Sequence, residues 1–203
     1  MRRDFDPDHM PVRAFYKLMT AVVVPRPIAW VSSVSAAGVD NLAPHSFFTV
    51  ACVDPPIAQF TSVGRKDSLR NVEATGDFVV NLAPEPLFQQ VNATGTNFPP
   101  EVSEFDAVGL EREPSLKVKA SRVAASPVAL ECALHSTIRL GDSVLVLGRV
   151  VHAAIREDAL DGDHPDIAKL LPLSRLGRNQ WGDPPPVRAI DRIPYDQWPG
   201  HFG

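Results

Sequence analysis

The sequence is poor in cysteine, and this shortage removes two classes of protein. Only Cys52 and Cys132 are present among 203 residues. They have neither the spacing of zinc ligands nor the density of a secreted disulfide scaffold. We expect two buried thiols in a reducing compartment rather than a disulfide.

Long apolar runs and an excess of basic charge are also missing. No apolar stretch approaches the ~18 residues of a membrane-spanning helix, and none follows Met1 to form a signal peptide. Lys and Arg number 20 against 24 Asp and Glu, which gives a formal net charge of −4 and no basic patch for nucleic acid. We therefore expect a cytoplasmic protein with neither a membrane nor a nucleic-acid partner.

Two common kinds of site motif are absent. No G-x-G-x-x-G follows a strand, so a Rossmann nucleotide site is not expected. The histidines show no metal-ligand spacing, and the polar run at residues 161–164 precedes a proline and is typical of a turn. We expect no metal site.

What is present indicates a mainly β protein with a few helices. Twenty prolines, about twice the usual ~5% share, argue against a mainly helical chain. Val128–Leu140 alternates with period two, placing Ile138 and Leu140 on the apolar face and Glu131 on the polar one. The turn at residues 141–142 and an apolar run at 143–147 predict a return strand and a long antiparallel hairpin.

Polar clusters follow several of the predicted strands, at residues 32–33, 41–48 and 62–68. The last cluster leads into a predicted helix over Asp67–Thr75, with Asp67 as its N-cap and Gly76 at its end. A helix N-terminus next to Arg65, Lys66 and Ser68 has the donors to hold a phosphate. A charged, solvated turn with an ordinary cap explains the same residues, and spacing alone does not decide between the two.

Ten short segments stand in a fixed order along the chain: RPIAWVSS (26–33), NLAPHSFF (41–48), DPP (54–56), RKDS (65–68), FVVNL (78–82), SEF (103–105), GL (109–110), PVALEC (127–132), LGRVV (147–151) and LSRLG (173–177). Together they resemble the flavin reductase-like, FMN-binding split-barrel family, in particular its flavoredoxin and nitrilotriacetate monooxygenase reductase-component branch. Each motif alone is weak, but their order along residues 1–181 is specific. We expect one domain over 1–181, followed by a proline-rich C-terminal arm over 182–203.

The resemblance implies a split β-barrel homodimer that holds FMN, with FAD as the second choice. It further implies an oxidoreductase that passes hydride from NAD(P)H to the flavin, with a monooxygenase or electron-transfer protein as a further partner. The implied flavin-binding residues, from the ribityl–phosphate end to the ring, are Ser32, Ser33, Ser62, Arg65, Lys66, Ser68, Asn41, Ala43, His45, Ser46, Phe47, Trp30 and Arg175. No catalytic side chain is implied, because the flavin itself carries the chemistry.

Four positions leave alternatives open. Arg175 either closes the flavin site, from the same or the partner subunit, or makes a C-terminal helix contact or a surface ion pair. Many relatives have a histidine in a Gly-Asp-His turn, where this chain has Ser143, so an electron carrier without NAD(P)H turnover or an enzyme acting on a small organic substrate are rival functions. His45 stands where relatives often have an aromatic residue; it is either a planar replacement or a proton-transfer group. Trp30 fits ring packing or the core equally well.

Overall fold

The computed structural model describes residues 1–198, and most of its regular structure is β. The strands are β1 (Arg26–Pro27), β2 (Ala29–Val34), β3 (Asp40–His45), β4 (Phe48–Cys52), β5 (Ile57–Val63), β6 (Asp77–Leu82), β7 (Arg112–Glu113), β8 (Arg122–Val123), β9 (Val128–Leu140), β10 (Ser143–Ile155), β11 (Leu160–Asp161), β12 (His164–Pro165), β13 (Ser174–Arg175) and β14 (Trp181–Gly182). The α-helices are α1 (Val12–Val22), α2 (Asp67–Thr75), α3 (Phe88–Ala93), α4 (Glu104–Ala107) and α5 (Ile167–Leu170), and short 3-10 turns lie at Pro7–His9, Glu85–Leu87, Glu157–Ala159 and Tyr195–Gln197. The predicted mainly β class is confirmed.

The largest sheet closes on itself because of a short connection. Its seven strands run in the order β3-β2-β6-β9-β10-β5-β4, and every neighbouring pair is antiparallel. Strands β3 and β4 lie at opposite edges, yet only Ser46 and Phe47 separate them. The three Cα–Cα steps from His45 to Phe48 span at most ~11 Å, so the edges must meet and the sheet must curl into a barrel. The Thr61 amide donates to the Phe47 carbonyl at 2.9 Å, which extends the β4–β5 pairing into this connection.

Strand β2 separates two apolar layers, as the period of two requires. Ala29 and Val31 belong to the barrel interior, together with Leu69 and Val72 of α2. Trp30, on the opposite face, belongs to an outer layer that includes Val91 of α3 and Phe105 of α4. The loops and helices that follow β6 therefore cover the outside of the barrel.

The predicted hairpin is confirmed, although its two faces differ from the prediction. Strand β9 has the expected bounds, and β10 begins at Ser143 as predicted and runs to Ile155. Glu131, expected on a solvated face, is fully buried because residues 113–122 cover it. Ile138 and Leu140, expected to be buried, are about half exposed where the hairpin extends past the barrel.

One smaller prediction is wrong, and one helix was missed. Cys132 is buried as expected, but Cys52 is partly exposed at the end of β4. Helix α1, with Phe15, Leu18, Met19 and Val22 at helical spacing, was not predicted.

Within residues 1–198, no helix has both the length and the apolarity to cross a membrane.

Candidate functional site

A cleft of about 400 Å³, the main cleft, opens where β3, β5 and α2 meet. Its lining comes from six parts of the chain: β3 with the β3–β4 connection, the end of β5, the start of α2 with the loop before it, the loop after α3, Glu104 of α4, and Tyr16 of α1. The lining residues are Tyr16, Asn41, Ala43, Pro44, His45, Ser46, Phe47, Thr61, Val63, Arg65, Lys66, Asp67, Ser68, Arg70, Thr94, Gly95, Thr96, Asn97, Phe98 and Glu104. The barrel closure thus brings sequence-distant segments to one site.

The N-terminus of α2 faces this cleft without a side-chain cap. The N-cap is Lys66, not Asp67 as the sequence predicted, and it makes no capping hydrogen bond. Asp67 is the first helical residue, and its carboxylate pairs with Arg70. The first-turn amides of α2 are thereby left free of a side-chain cap, which is the arrangement that binds anions.

The two basic residues before α2 differ in whether they form an ion pair. Arg65 forms an ion pair with Glu73 across 2.7 Å. Lys66 is exposed and makes no ion pair with any residue of the part that the structure describes. Lys66 is therefore the cation best placed for an incoming anion.

The cleft floor is a buried polar network centred on the Ser68 hydroxyl. Asn41 Nδ2 donates to Ser68 Oγ, and His45 Nε2 lies at the same 3.2 Å from that oxygen. The pKa of His45 is lowered to about 4, chiefly by burial; a backbone hydrogen bond with Thr61 opposes this shift, and the charge of nearby Lys66 adds to it. His45 is neutral at pH 7, and its ring packs against Phe60 with centroids 4.7 Å apart. This arrangement favours the planar-replacement interpretation over proton transfer.

Glu104 is a site residue that sequence reasoning missed. It opens α4, is buried, and its Oε2 accepts the Leu42 amide at 2.9 Å. Burial raises the pKa of Glu104; the hydrogen bond from Leu42 opposes the rise, and the charge of Asp67 adds to it. Only the contact with β3 reveals its role, since a Ser at the N-cap followed by a Glu in the first turn is ordinary at the start of a helix.

Tyr16 and the loop after α3 were also missed. Tyr16 lies edge-on to Phe47, with ring centroids 6.4 Å apart. The amphipathic spacing of α1 was a usable signal for a helix there. Nothing local marks residues 94–98 as a cleft wall, because tertiary packing alone brings that loop to the site.

Eight of the thirteen predicted flavin-binding residues line the main cleft. These are Asn41, Ala43, His45, Ser46, Phe47, Arg65, Lys66 and Ser68. Ser62 is buried beside the cleft and donates to the Gly64 carbonyl. Arg175 lies in a smaller recess next to the cleft.

Trp30, Ser32 and Ser33 lie inside β2 and do not themselves line the main cleft. Trp30 is fully buried and donates from Nε1 to Thr94 Oγ1 at 2.9 Å, which places it in the core. Ser32 Oγ donates to the Ser121 carbonyl in the outer layer. Ser33 Oγ accepts from Asn71 of α2 at 3.2 Å.

The turn that carries Ser143 lies at the same end of the barrel as the loop before α2. The Asp142 carbonyl accepts the Gly64 amide at 2.9 Å, and Ser143 pairs with Val63 in the β5–β10 register. A histidine at position 143 would therefore have been near the cleft. The serine there donates to Asp142 Oδ1 at 2.8 Å instead.

Comparisons with known proteins agree with this geometry. Residues 19–173 match the model of the flavin reductase like domain. Component B of the nitrilotriacetate monooxygenase of Bacillus cereus is 30% identical, with a TM-score of 0.90 over 94% of this chain and 99% of the other. The 2-nitrobenzoate 2-nitroreductase NbaA of Pseudomonas fluorescens is 29% identical, with a TM-score of 0.87 over 95% and 97%.

The barrel architecture has a solved counterpart as well. A flavin reductase with a split barrel domain from Shewanella frigidimarina superposes with a TM-score of 0.80 at 18% identity, over 93% of this chain and 95% of the other. The predicted split-barrel fold is confirmed. The match over 19–173 spans the barrel and every segment of the main cleft except Tyr16, and on that basis the chain belongs to the flavin reductase like domain family.

Proposed function

We propose that this protein binds FMN in the main cleft and is an oxidoreductase that transfers hydride from NAD(P)H to the flavin. The observation that carries the proposal is the uncapped N-terminus of α2, which faces the cleft beside Lys66 and Ser68. Membership of the flavin reductase like domain family supports a flavin as the cofactor class.

The phosphate of FMN carries a charge of about −2 and needs a locally basic site on this acidic chain. Free amides in the first turn of α2 and the Lys66 ammonium supply donors and positive charge there. Arg65 keeps its pair with Glu73 and still contributes positive potential. We place the phosphate at this end and favour FMN over FAD, whose adenosine half would extend beyond a cleft of about 400 Å³.

The segment from Asn41 to Phe47 is suited to hold the flavin ring against the barrel. Its backbone and the side chains of Ser46 and Phe47 line the cleft wall, and Tyr16 packs against Phe47. When bound, the flavin supplies the redox chemistry by accepting hydride and passing electrons onward. The neutral His45 holds the Ser68 hydroxyl in position, and no side chain is needed as an acid or base.

A second candidate is an enzyme that reduces a small organic substrate. The 29% identity to a protein named as a 2-nitrobenzoate 2-nitroreductase favours it over an electron carrier without turnover. The similarity to a monooxygenase component B supports a separate oxygenase as the electron acceptor. Ser143 in place of the histidine of many relatives makes the choice of hydride donor an experimental question.

We further propose a homodimer. Ile138, Leu140 and Val63 expose apolar side chains on the strands that flank Ser143, and a second copy would cover them. Light scattering of the FMN-loaded protein should give twice the mass of the chain, and a monomer with FMN bound would contradict this.

We also propose that the protein acts in the cytoplasm, which its two free thiols support. Residues 183–194 form neither helix nor strand, which supports a separate C-terminal arm.

Anaerobic reduction tests the function directly. The protein is loaded with FMN, NADH or NADPH is added without oxygen, and the flavin absorbance is followed. Rapid bleaching is the expected result, and the faster nucleotide identifies the donor. Bound FMN that neither nucleotide bleaches would overturn the NAD(P)H assignment and favour the electron carrier or the enzyme of a small substrate. Protein that does not bind FMN would overturn the whole proposal.

A further inference from the structure

A second, polar recess of about 220 Å³ adjoins the main cleft. Its wall includes Pro44, Ser46, Asn92, Gly95, Arg175 and Trp181. Three of these residues, Pro44, Ser46 and Gly95, also line the main cleft. A molecule in this recess would therefore lie against the other side of the segment that we assign to the flavin ring.

Arg175 is held in place in this recess with donors to spare. Its guanidinium packs over the Trp181 ring at 4.6 Å, and Trp181 is itself edge-on to Phe88 at 5.2 Å. Nη2 donates to the Arg178 carbonyl at 3.0 Å, and Nη1 makes a longer contact of 3.4 Å with the Gln180 carbonyl. These contacts use two of the five N–H groups of the guanidinium and fix its plane.

The positive charge of Arg175 is not balanced locally. Five other arginines form ion pairs with carboxylates, whereas Arg175 forms none with any residue from 1 to 198. Its neighbour across the β1–β13 pair is another arginine, Arg26. Burial lowers the pKa of Arg26, and the charge of Arg175 lowers it further, so the two guanidinium groups repel each other. An anion in the recess would relieve that repulsion.

We propose that Arg175 binds the carboxylate of a small aromatic acid, the second substrate of the flavin site. A planar guanidinium with a fixed orientation matches a carboxylate in a two-bond, fork-like geometry. The recess has room for one ring and its carboxylate but is too small for a dinucleotide. This inference rests on the proposed FMN site and deepens it by naming the class of substrate.

The test uses the FMN-loaded protein and isothermal titration calorimetry, with benzoate as the probe and neutral benzamide as its control. R175Q should weaken benzoate binding by about ten-fold or more, because it removes a charge-assisted pair of hydrogen bonds. R175K should weaken it less, because lysine keeps the charge without the fork. The matched control R178Q removes the same charge from the same loop and should leave benzoate affinity unchanged.

Separate titrations distinguish failure of this inference from failure of the proposed function. FMN affinity should agree within about two-fold between wild type and R175Q. Equal benzoate affinity in wild type and R175Q would overturn the carboxylate site, as would benzamide binding as tightly as benzoate. Parallel loss of FMN in R175Q would assign Arg175 to the flavin, and weakened NADH binding with benzoate unaffected would assign it to the nicotinamide nucleotide. Wild-type protein that does not bind FMN would instead overturn the proposed function and this inference with it.

Discussion

Two buried glutamates in this barrel have opposite environments. Glu131 of β9 is fully buried under the segment that carries β7 and β8, and Glu104 of α4 is nearly as buried at the wall of the main cleft. The first belongs to a polar cluster that is complete within the chain. The second belongs to a cluster that faces an open cavity.

Glu131 has partners for both of its oxygens. Oε1 accepts from the Leu116 amide at 2.9 Å and from Arg122 Nη2 at 2.5 Å, and Oε2 accepts from the Lys117 amide at 2.6 Å. Burial alone would raise the pKa of Glu131, but the Leu116 amide, Arg122 and the Lys117 amide together hold it below its usual range. This cluster ties residues 113–122 to the sheet, and its acceptors and its charge are matched by partners within the cluster.

Glu104 forms no ion pair with any residue of the part that the structure describes. It accepts the Leu42 amide, and burial raises its pKa. Around the same cleft lie the exposed Lys66 and the uncapped start of α2. The comparison teaches that burial of a polar residue does not identify a site. Donors and acceptors left without protein partners at a cavity do.

The largest expected effect is a loss of stability when the charge of the buried Glu131 is removed. E131Q should destabilise the fold by about 3 kcal/mol or more, because Arg122 keeps a buried charge and the new amide opposes the backbone donors. Urea unfolding measures this loss. The control E113Q removes a half-exposed partner of the same Arg122 and should cost less than about 1 kcal/mol. Equal losses of unfolding free energy in E131Q and E113Q would contradict a structural role that depends on the buried Glu131.

The next largest expected effect is a pH dependence of the stability, caused by His45 in the polar network around the Ser68 hydroxyl. Its pKa falls from 6.5 in the unfolded chain to about 4 in the fold, so the unfolded state binds more protons between these values. Stability should be fully present above pH 6.5 and fall by on the order of 3 kcal/mol as the pH drops to 4. H45Q should remove this part of the pH dependence. The measurement compares the unfolding free energies of wild type and H45Q over this pH range. Parallel curves from pH 8 to 4 would show that His45 is not buried as a neutral ring.

A double substitution at the cationic edge of the cleft should change ligand binding without changing the fold. R65A/K66A should weaken FMN binding by about ten- to hundred-fold, because charge-assisted bonds to the phosphate are lost. Its unfolding free energy should stay within about 0.5 kcal/mol of wild type, since both side chains are exposed. The control K117A/K119A removes the same charge beside Glu131 and should leave FMN affinity unchanged. Unaltered FMN binding in R65A/K66A would refute the phosphate assignment.

The smallest expected effect is a gain in stability, whereas E131Q should cause a loss. E104Q keeps an oxygen for the Leu42 amide and removes a charge that the fold disfavours, so it should raise the melting temperature slightly at pH 7. The folded-state pKa of Glu104 is raised, so the gain should shrink as the pH falls toward the range where the carboxyl is protonated. Thermal melts at pH 7 and pH 4.5 test both statements. A destabilised E104Q at pH 7 would break the contrast with Glu131.

The same contrast explains which features could be predicted from sequence. The alternation over Val128–Leu140 is local, so the strand was predictable to the residue. The burial of Glu131 was not, because its cover comes from residues 113–122 and is recognised only through tertiary contacts. The exposure of Ile138 and Leu140 depends on how far the hairpin extends beyond the barrel, which no periodicity encodes.

At the main cleft, prediction succeeded where a motif and its neighbours share one loop. Arg65, Lys66 and Ser68 precede or open α2, and all three line the cavity. The N-cap was predicted wrongly because the pairing of Asp67 with Arg70 one turn later draws the carboxylate away from the helix end. Glu104 reaches the cleft through contacts far along the chain, so no spacing rule identifies it.

The most direct test of the account compares FMN with riboflavin as ligands of the wild-type protein. The two differ only in the phosphate that we place at the start of α2. The account predicts that FMN binds at least about ten-fold more tightly than riboflavin in a fluorescence titration, and that high salt narrows the difference. Equal affinities for the two ligands would contradict the phosphate site and the orientation of the flavin that depends on it.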